Sequence, residues 1–349
     1  MTKAKQMEER PVSDPAVDLV ESDPGPTPRS RTGLDLTRDL TLRFGVVAAL
    51  VVLAIVFAVA EPDTFPTSSN LRSMLVNQSV LAVVALGVLA PLTVGEFDLS
   101  VGGLLSMSSV VTIVLLGHGL PAVLCIVVAI AACAVVGAVN GLLVTYVGIS
   151  SFVATLGTAT LVGGLSQWWS NNQTVFKGVT QGFRDFGTTL VGGAIPISGI
   201  YVLVLAVFLW YLLSRTPFGR QMLATGLGRD AARLAGIPTR GRTAISFVIS
   251  GVFAGMAGVL SAAQLASASP GVGESLLLPA YAGAFLGATT IVVGRFNVFG
   301  TLAGVILLAI GITGLQLAGV ENFISQIFNG AALVLAVTIA RFGRRQGQV

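Results

Sequence analysis

The chain has 349 residues, 54% hydrophobic and only 10% charged, with a mean hydropathy of +0.86. Soluble domains carry about 25% charged residues, so this composition excludes an ordinary soluble protein and indicates a polytopic membrane protein. The net charge of +4 does not imply nucleic acid, because the basic residues sit at the ends of apolar runs, where topology needs them.

Residues 1 to about 43 are polar and rich in proline (Pro11, Pro15, Pro24, Pro26, Pro28). That composition cannot bury a core and predicts a disordered cytoplasmic tail. It is no signal peptide, because no short apolar region with a cleavage site follows the start. A transmembrane domain is expected over 44–340 and a short cytoplasmic tail over 341–349. Ten apolar segments are predicted near 44–60, 71–92, 99–117, 120–140, 151–170, 199–214, 243–263, 280–294, 300–319 and 323–340. Each approaches the roughly 20 residues that a helix needs to cross a bilayer. The eighth is short and glycine-rich, so a broken or re-entrant helix is expected there.

Starting the first helix from the inside gives a consistent charge map, with both termini cytoplasmic. The 141–150 connection, the 215–242 loop, Arg295 and the tail Arg341, Arg344 and Arg345 then fall inside. Five helices precede the long outer connection 171–198 and five follow it, a count that suggests two inverted halves. The fold expected is all-α with about ten transmembrane helices.

Arg215 to Arg242 is the longest polar stretch between apolar segments, with arginines at 215, 220, 229, 233, 240 and 242 against one acid, Asp230. Its middle, Arg229 to Ala235, reads as a short helix closed by Gly236 and Pro238. It is expected to be a docking element for a cytosolic partner.

Three stretches interrupt the apolar pattern. In Pro91 to Gly103 ("PLTVGEFDLSVGG"), Glu96 and Asp98 stand in otherwise apolar sequence, and Asp98 or Ser100 is placed to cap the next helix. These carboxylates could instead line a translocation pathway or gate, or relay protons. In Asn140 to Thr158, Asn140-Gly141 is expected to end one helix and Ser150-Ser151 to begin the next, with Thr155, Gly157 and Thr158 on a thin polar-edged face. That face suits close helix packing or a pore lining. Phe285 to Gly304 carries Gly287, Gly294 and Gly300 around Arg295 and Asn297, and reads as a tight inner turn. Gln264, Ser267, Ser269 and Glu274 are expected in an outer loop.

Little points to chemistry on this chain. No G-x-x-x-x-G-K-[ST] phosphate loop occurs. Cys125 and Cys133 read as small buried residues, and the lone His118 as a loop residue, so neither a triad nor a metal cluster is expected.

Taken together, these stretches resemble the ribose-type ABC permeases, the sugar-importing branch of the binding-protein-dependent inner-membrane permeases. "GEFDLSVGG" is similar to that family's Gly-x-x-Asp-Leu-Ser-Val-Gly signature, Asn140–Thr158 to its Asn-Gly…Phe-x-x-Thr-Leu-Gly motif, and "GLGRDAARLAGI" (Gly226 to Ile237) to its cytoplasmic loop. The resemblance covers about 44 to 340. The family's Asn in the loop is Gly228 here, its Glu-Leu-Asp before the eighth helix is Leu277-Leu278-Pro279, and its double glycine after it is Gly287-Ala288.

The resemblance implies an importer subunit for a monosaccharide or related polar solute, in a bacterial inner membrane. It implies pairing with a second permease subunit, identical or not, a cytosolic ATPase and an external solute-binding protein, with membrane lipid around it and no nucleic acid. ATP and magnesium would be bound by the ATPase, and no cofactor by this chain. The ATPase would grip Gly226–Ile237. Ala231, Ala232 and Gly236 would let that element sit close, and Arg229, Asp230 and Arg233 would orient it. Candidate pathway or gate residues are Glu96, Asp98, Ser100, Asn140, Phe152 and Thr155. The same machinery for a nucleoside or amino acid, an ion-coupled secondary transporter and a non-transporting scaffold are the alternatives.

Overall fold

The structure, a computed structural model, describes residues 33–292 and 294–346. The chain divides into a unit up to Arg38 and a unit from Asp39 onward, and the helical bundle lies in the second. The expected disorder of residues 1–32 lies outside the described residues. Residues 33–43, expected to be disordered as well, instead begin helix α1 (Gly33–Ala60). No proline lies between Pro28 and Pro62 to interrupt it.

Twelve helices follow: α2 (Ser68–Thr93), α3 (Val101–Gly117), α4 (Ala122–Leu142), α5 (Ser151–Trp169), α6 (Gln181–Thr188), α7 (Ile197–Trp210), α8 (Pro217–Leu227), α9 (Arg229–Leu234), α10 (Thr239–Leu265), α11 (Glu274–Ala288), α12 (Val298–Leu317) and α13 (Asn322–Gln346). Among the described residues, five helices are both long and apolar enough to cross a membrane, and three shorter apolar stretches accompany them. The fold is an all-α polytopic one. The small exception is a hairpin of β1 (Leu190–Val191) and β2 (Ile195–Pro196).

The core lies on α2 and α10. In their most apolar windows 78% and 67% of residues are buried, against 22% for α4 and 17% for α7. The last two therefore form the rim, with Val123, Val127 and Val135 of α4 and Leu203, Val204 and Phe208 of α7 facing outward. On a membrane protein such faces meet lipid or another subunit. Small residues allow α4 and α10 to approach closely. A Cβ on Gly141 would lie 2.6 Å from the Ala244 carbonyl oxygen, and one on Gly255 3.0 Å from the Ile130 Cα. Gly137/Gly141 and Gly251/Gly255 thus form facing small-xxx-small pairs.

Three boundaries differ from expectation. Helix α4 does not stop at Asn140-Gly141 but runs on through a π-helical turn (Leu143–Val147) to Gly148, whose φ is +84°. Helix α11 starts at Glu274 rather than near 280, so Leu277-Leu278-Pro279 belong to its first turns, and it ends at Ala288. Pro279, the sixth residue, lies inside the helix and removes the donor that would otherwise reach the Ser275 carbonyl. Gln264 is not in a loop: it lies in α10 and donates through Nε2 to Ser79 Oγ of α2 (2.8 Å).

The 171–198 connection folds back onto the bundle. Val175 and Ala268 exchange backbone hydrogen bonds of 2.9 and 2.8 Å, and Phe183 of α6 is buried. Cys125 and Cys133 are both free and buried, and His118 is exposed after α3.

Candidate functional site

The turn from Gly95 to Ser100 is irregular backbone set among packed helices. Buried polar groups need partners, and here side chains supply them to four consecutive N–H groups. Phe97 N–H donates to Ser151 Oγ (3.4 Å), Asp98 N–H to the Tyr281 hydroxyl (2.9 Å), Leu99 N–H to Thr155 Oγ1 (3.0 Å) and Ser100 N–H to Asp98 Oδ1 (3.0 Å). The Tyr281 hydroxyl in turn donates to the Asp98 carbonyl (2.9 Å). The turn is therefore held from α5 and α11 at once. Gly95 opens it with φ +84°, a conformation that favours glycine.

Asp98 is fully buried. Its Oδ1 also accepts from Ser100 Oγ (2.5 Å), which accepts from Asn140 Nδ2 (2.9 Å), while Thr158 Oγ1 donates to Asn140 Oδ1 (2.8 Å). Three candidates from two separate stretches, Asp98, Ser100 and Asn140, thus join one chain of bonds that Thr158 extends. Burial pushes the Asp98 carboxyl above its ordinary value, and the hydrogen bonds from Ser100 pull it back. Ser250 stands beside the carboxylate, yet neither Ser250 Oγ nor Asp98 Oδ2 completes a hydrogen bond. The helix caps expected here are absent: Ser100 and Ser150 precede α3 and α5 without side-chain cap bonds, and Asp98 closes an Asx-type turn instead. Phe97 packs on Phe152 (4.9 Å between centroids), Tyr281 (5.8 Å) and Phe285 (6.3 Å). Phe152 itself remains 49% exposed.

Glu96 points the other way, towards the arginine loop. Arg229 Nη2 donates to Glu96 Oε1 at 2.7 Å and lies 3.5 Å from Thr243 Oγ1. Gly226 packs so closely on the Thr93 carbonyl that a Cβ there would overlap it. The loop thus touches the turn through the Arg229–Glu96 ion pair and the end of α2 through Gly226.

The loop contains two helices where one was expected. Helix α8 is capped by Thr216, whose Oγ1 accepts from Gly219 N–H (3.2 Å), with Pro217 at its first position. Helix α9 ends in a Schellman pattern: Ile237 N–H donates to Ala232 O and Gly236 N–H to Arg233 O, both at 3.0 Å, with Gly236 at φ +80°. Of the α9 candidates, Arg229, Asp230, Ala231, Arg233 and Gly236 are exposed. Ala232 is not: at 5% exposure it faces its own chain, so it cannot be the surface that a partner meets. Leu234, by contrast, is 91% exposed. Gly228 precedes α9 without a side-chain cap.

Sequence reasoning missed Tyr281, whose signal is a hydroxyl inside an apolar run, and read Ser151 only as the start of a helix, not as a partner of the Phe97 N–H. It also missed a short recurrence. Gly95-Glu96-Phe97-Asp98 and Gly294-Arg295-Phe296-Asn297 share a Gly-x-Phe-Asx pattern, with φ +84° and +81° at the glycines, and each ends just before a helix. Phe285 packs on both phenylalanines, at 6.3 and 5.3 Å.

The family described as branched-chain amino acid transport system / permease component matches residues 70–337 of the chain. The ribose import permease protein RbsC of Bacillus subtilis (strain 168) is 33% identical over 300 residues, covering 86% of this chain and 92% of that one. The D-allose transport system permease protein AlsC of Escherichia coli (strain K12) is 30% identical over 300 residues, covering 86% and 91%. The galactose/methyl galactoside import permease protein MglC of Escherichia coli (strain K12) is 30% identical over 312 residues, covering 84% and 93%. No solved structure gives a significant match.

Proposed function

The chain belongs to the family of branched-chain amino acid transport system / permease components, and from that premise we propose that it is the membrane-spanning subunit of an ATP-driven monosaccharide importer. Its relatives are named for ribose, allose and galactose, which favours a sugar over an amino acid or nucleoside. In this reading the chain is a transport subunit rather than an enzyme. It pairs with a second permease subunit in a bacterial inner membrane, with both termini in the cytoplasm. A separate ATPase binds ATP and magnesium, and an external binding protein delivers the sugar.

One observation carries the coupling assignment: the 2.7 Å ion pair between Arg229 and Glu96. The ATPase docks on the exposed face of α9, through Ala231, Leu234 and Gly236. Arg229 carries its movement to Glu96. The Gly95–Ser100 turn then moves with Phe97, and Phe97 bears on Phe152 at the start of α5. Interfaces of this kind switch between discrete packings rather than deforming continuously. The geometry favours this reading over an ion-coupled transporter, because Asp98 is fully buried with one oxygen held by Ser100, and Glu96 is paired with Arg229.

The test is sugar-stimulated ATP hydrolysis and uptake by the reconstituted complex. Glu96→Arg and Arg229→Glu should each lower stimulation about tenfold while the ATPase still co-purifies, and the double exchange should restore part of it, a coupling of about 1.4 kcal/mol. Unchanged stimulation in both single variants would remove the assignment. Stable purification without any ATPase would remove the importer reading itself.

A further inference from the structure

Beside the Glu96–Arg229 pair lies a cavity of about 570 Å³, bounded by the Gly95–Phe97 turn, the Val144–Phe152 connection and the start of α10. Arg229, Arg233 and Arg240 line it against a single acid, Glu96. A neighbouring cavity of about 540 Å³ shares Arg233, Thr239 and Arg240 and opens past Tyr146. The charges do not balance. Glu96 answers Arg229, but Arg233 and Arg240 have neither a hydrogen-bond nor an ion-pair partner among the described residues. The side chain of Thr239, a residue only 2% exposed, lines both cavities and is likewise without a hydrogen-bond partner among the described residues.

Two unanswered guanidinium groups and the threonine side chain on one recess are an arrangement for an anion. Each guanidinium offers five N–H donors in a planar fork. A carboxylate has two oxygens to offer such a set, whereas a phosphate group has three or four and a greater charge. The recess is concave and small, so it suits a headgroup or a small solute better than a protein element. Half-exposed Phe152 lines it, and exposed Tyr146 lines the neighbouring cavity, so apolar surface adjoins the basic groups. Basic pockets between membrane helices bind phospholipid headgroups in this way.

We propose that this recess binds a phosphate group through Arg233, Arg240 and Thr239. The group is carried by an anionic phospholipid or by a free phosphorylated solute. Bound there, it competes with Glu96 for Arg229 and loosens the link between the arginine loop and the Gly95–Ser100 turn. The binding claim rests on the recess alone, whereas the competition rests on the coupling role assigned to the ion pair.

The full-length chain is purified in mild detergent, and its bound phosphatidylglycerol is measured by mass spectrometry. In a second arm the delipidated chain is heated with inorganic phosphate or with chloride at matched ionic strength. Arg233→Gln/Arg240→Gln should lower lipid retention, or the affinity for phosphate, about tenfold to thirtyfold, given about 1 kcal/mol per surface arginine. Arg220→Gln, exposed on the same loop but lining neither cavity, should leave both unchanged. The lysine pair Arg233→Lys/Arg240→Lys should retain part of the effect, and if the glutamine pair fails to fold, Arg240→Gln alone replaces it. A response in the lipid arm identifies a headgroup, and one in the phosphate arm only, a free solute. If neither arm depends on these arginines, the proposal fails. If the glutamine pair instead loses the co-purifying ATPase with both arms unchanged, the residues belong to a protein contact. Neither failure bears on the ion-pair exchange that tests coupling.

Discussion

Two turns with the same Gly-x-Phe-Asx pattern solve the same problem in opposite ways. At Asn297 a single amide closes the turn locally. Its Nδ2 donates to Gly287 O (2.9 Å) and Thr290 O (3.1 Å), and its Oδ1 accepts from Gly300 N–H (2.7 Å), capping α12. At Asp98 a carboxylate can only accept when ionised. The remaining backbone groups of that turn are met from a distance, by Ser151, Thr155 and Tyr281. The hydrogen bonds of Asn297 all fall within about ten positions of it in the chain. The Asp98 turn is tied to α4, α5 and α11, and through Glu96 to the arginine loop. A turn held from several helices registers their relative movement, and that suits it to coupling.

The comparison can be broken most forcefully at Tyr281. Tyr281→Phe strips a partner from both the N–H and the C=O of Asp98, each buried, at about 1–3 kcal/mol apiece. A large fall in the thermal unfolding midpoint of the purified chain is expected, and an unchanged midpoint would show that the turn does not depend on α11. Exchanging the two acid-amide residues sharpens the contrast. Asn297→Asp removes the donor to Gly287 and Thr290 and should cost about 1–3 kcal/mol. Asp98→Asn keeps an acceptor for Ser100 and gains a donor towards Ser250, so its midpoint should barely move. Equal effects from the two exchanges would deny the distinction between local and distant support.

Smaller effects are expected at the surface. Glu96→Gln should change the stability by less than about 1 kcal/mol, because the pair is partly solvated, even though coupling is lost. A large loss of stability would make the pair structural rather than transmitting. Smallest of all, Gly228→Asn should stabilise α9 by a few tenths of a kcal/mol by supplying its missing N-cap. A Cβ at this position meets only Ala231 Cβ, at an ordinary 3.8 Å. Amide exchange in Asp230 and Ala231 would report that gain.

Much of this was legible in the sequence. Apolar runs marked the long helices, because a run long enough to cross a bilayer leaves little choice of structure. Gly236 marked the end of α9, because the left-handed conformation there favours glycine. The Gly95–Gly103 and Asn140–Thr158 stretches stood out as polar breaks, because a polar group in apolar surroundings needs a reason.

What those groups bond to was decided only by the tertiary structure. Asp98 meets Tyr281 across 183 positions of chain and Glu96 meets Arg229 across 133. Such pairings depend on how helices cross, which no local pattern encodes. The same holds for Ala232: its place in the motif marked the right helix, but the side it turns towards was set by the packing of α9 against its own chain. Sequence marked most of the long apolar helices and the polar stretches between them, while the ends of α4 and α11 and the second helix of the arginine loop were set by the tertiary structure. Side-chain pairing between distant breaks, which joins the arginine loop to the Gly95–Ser100 turn, arose only once the helices had packed.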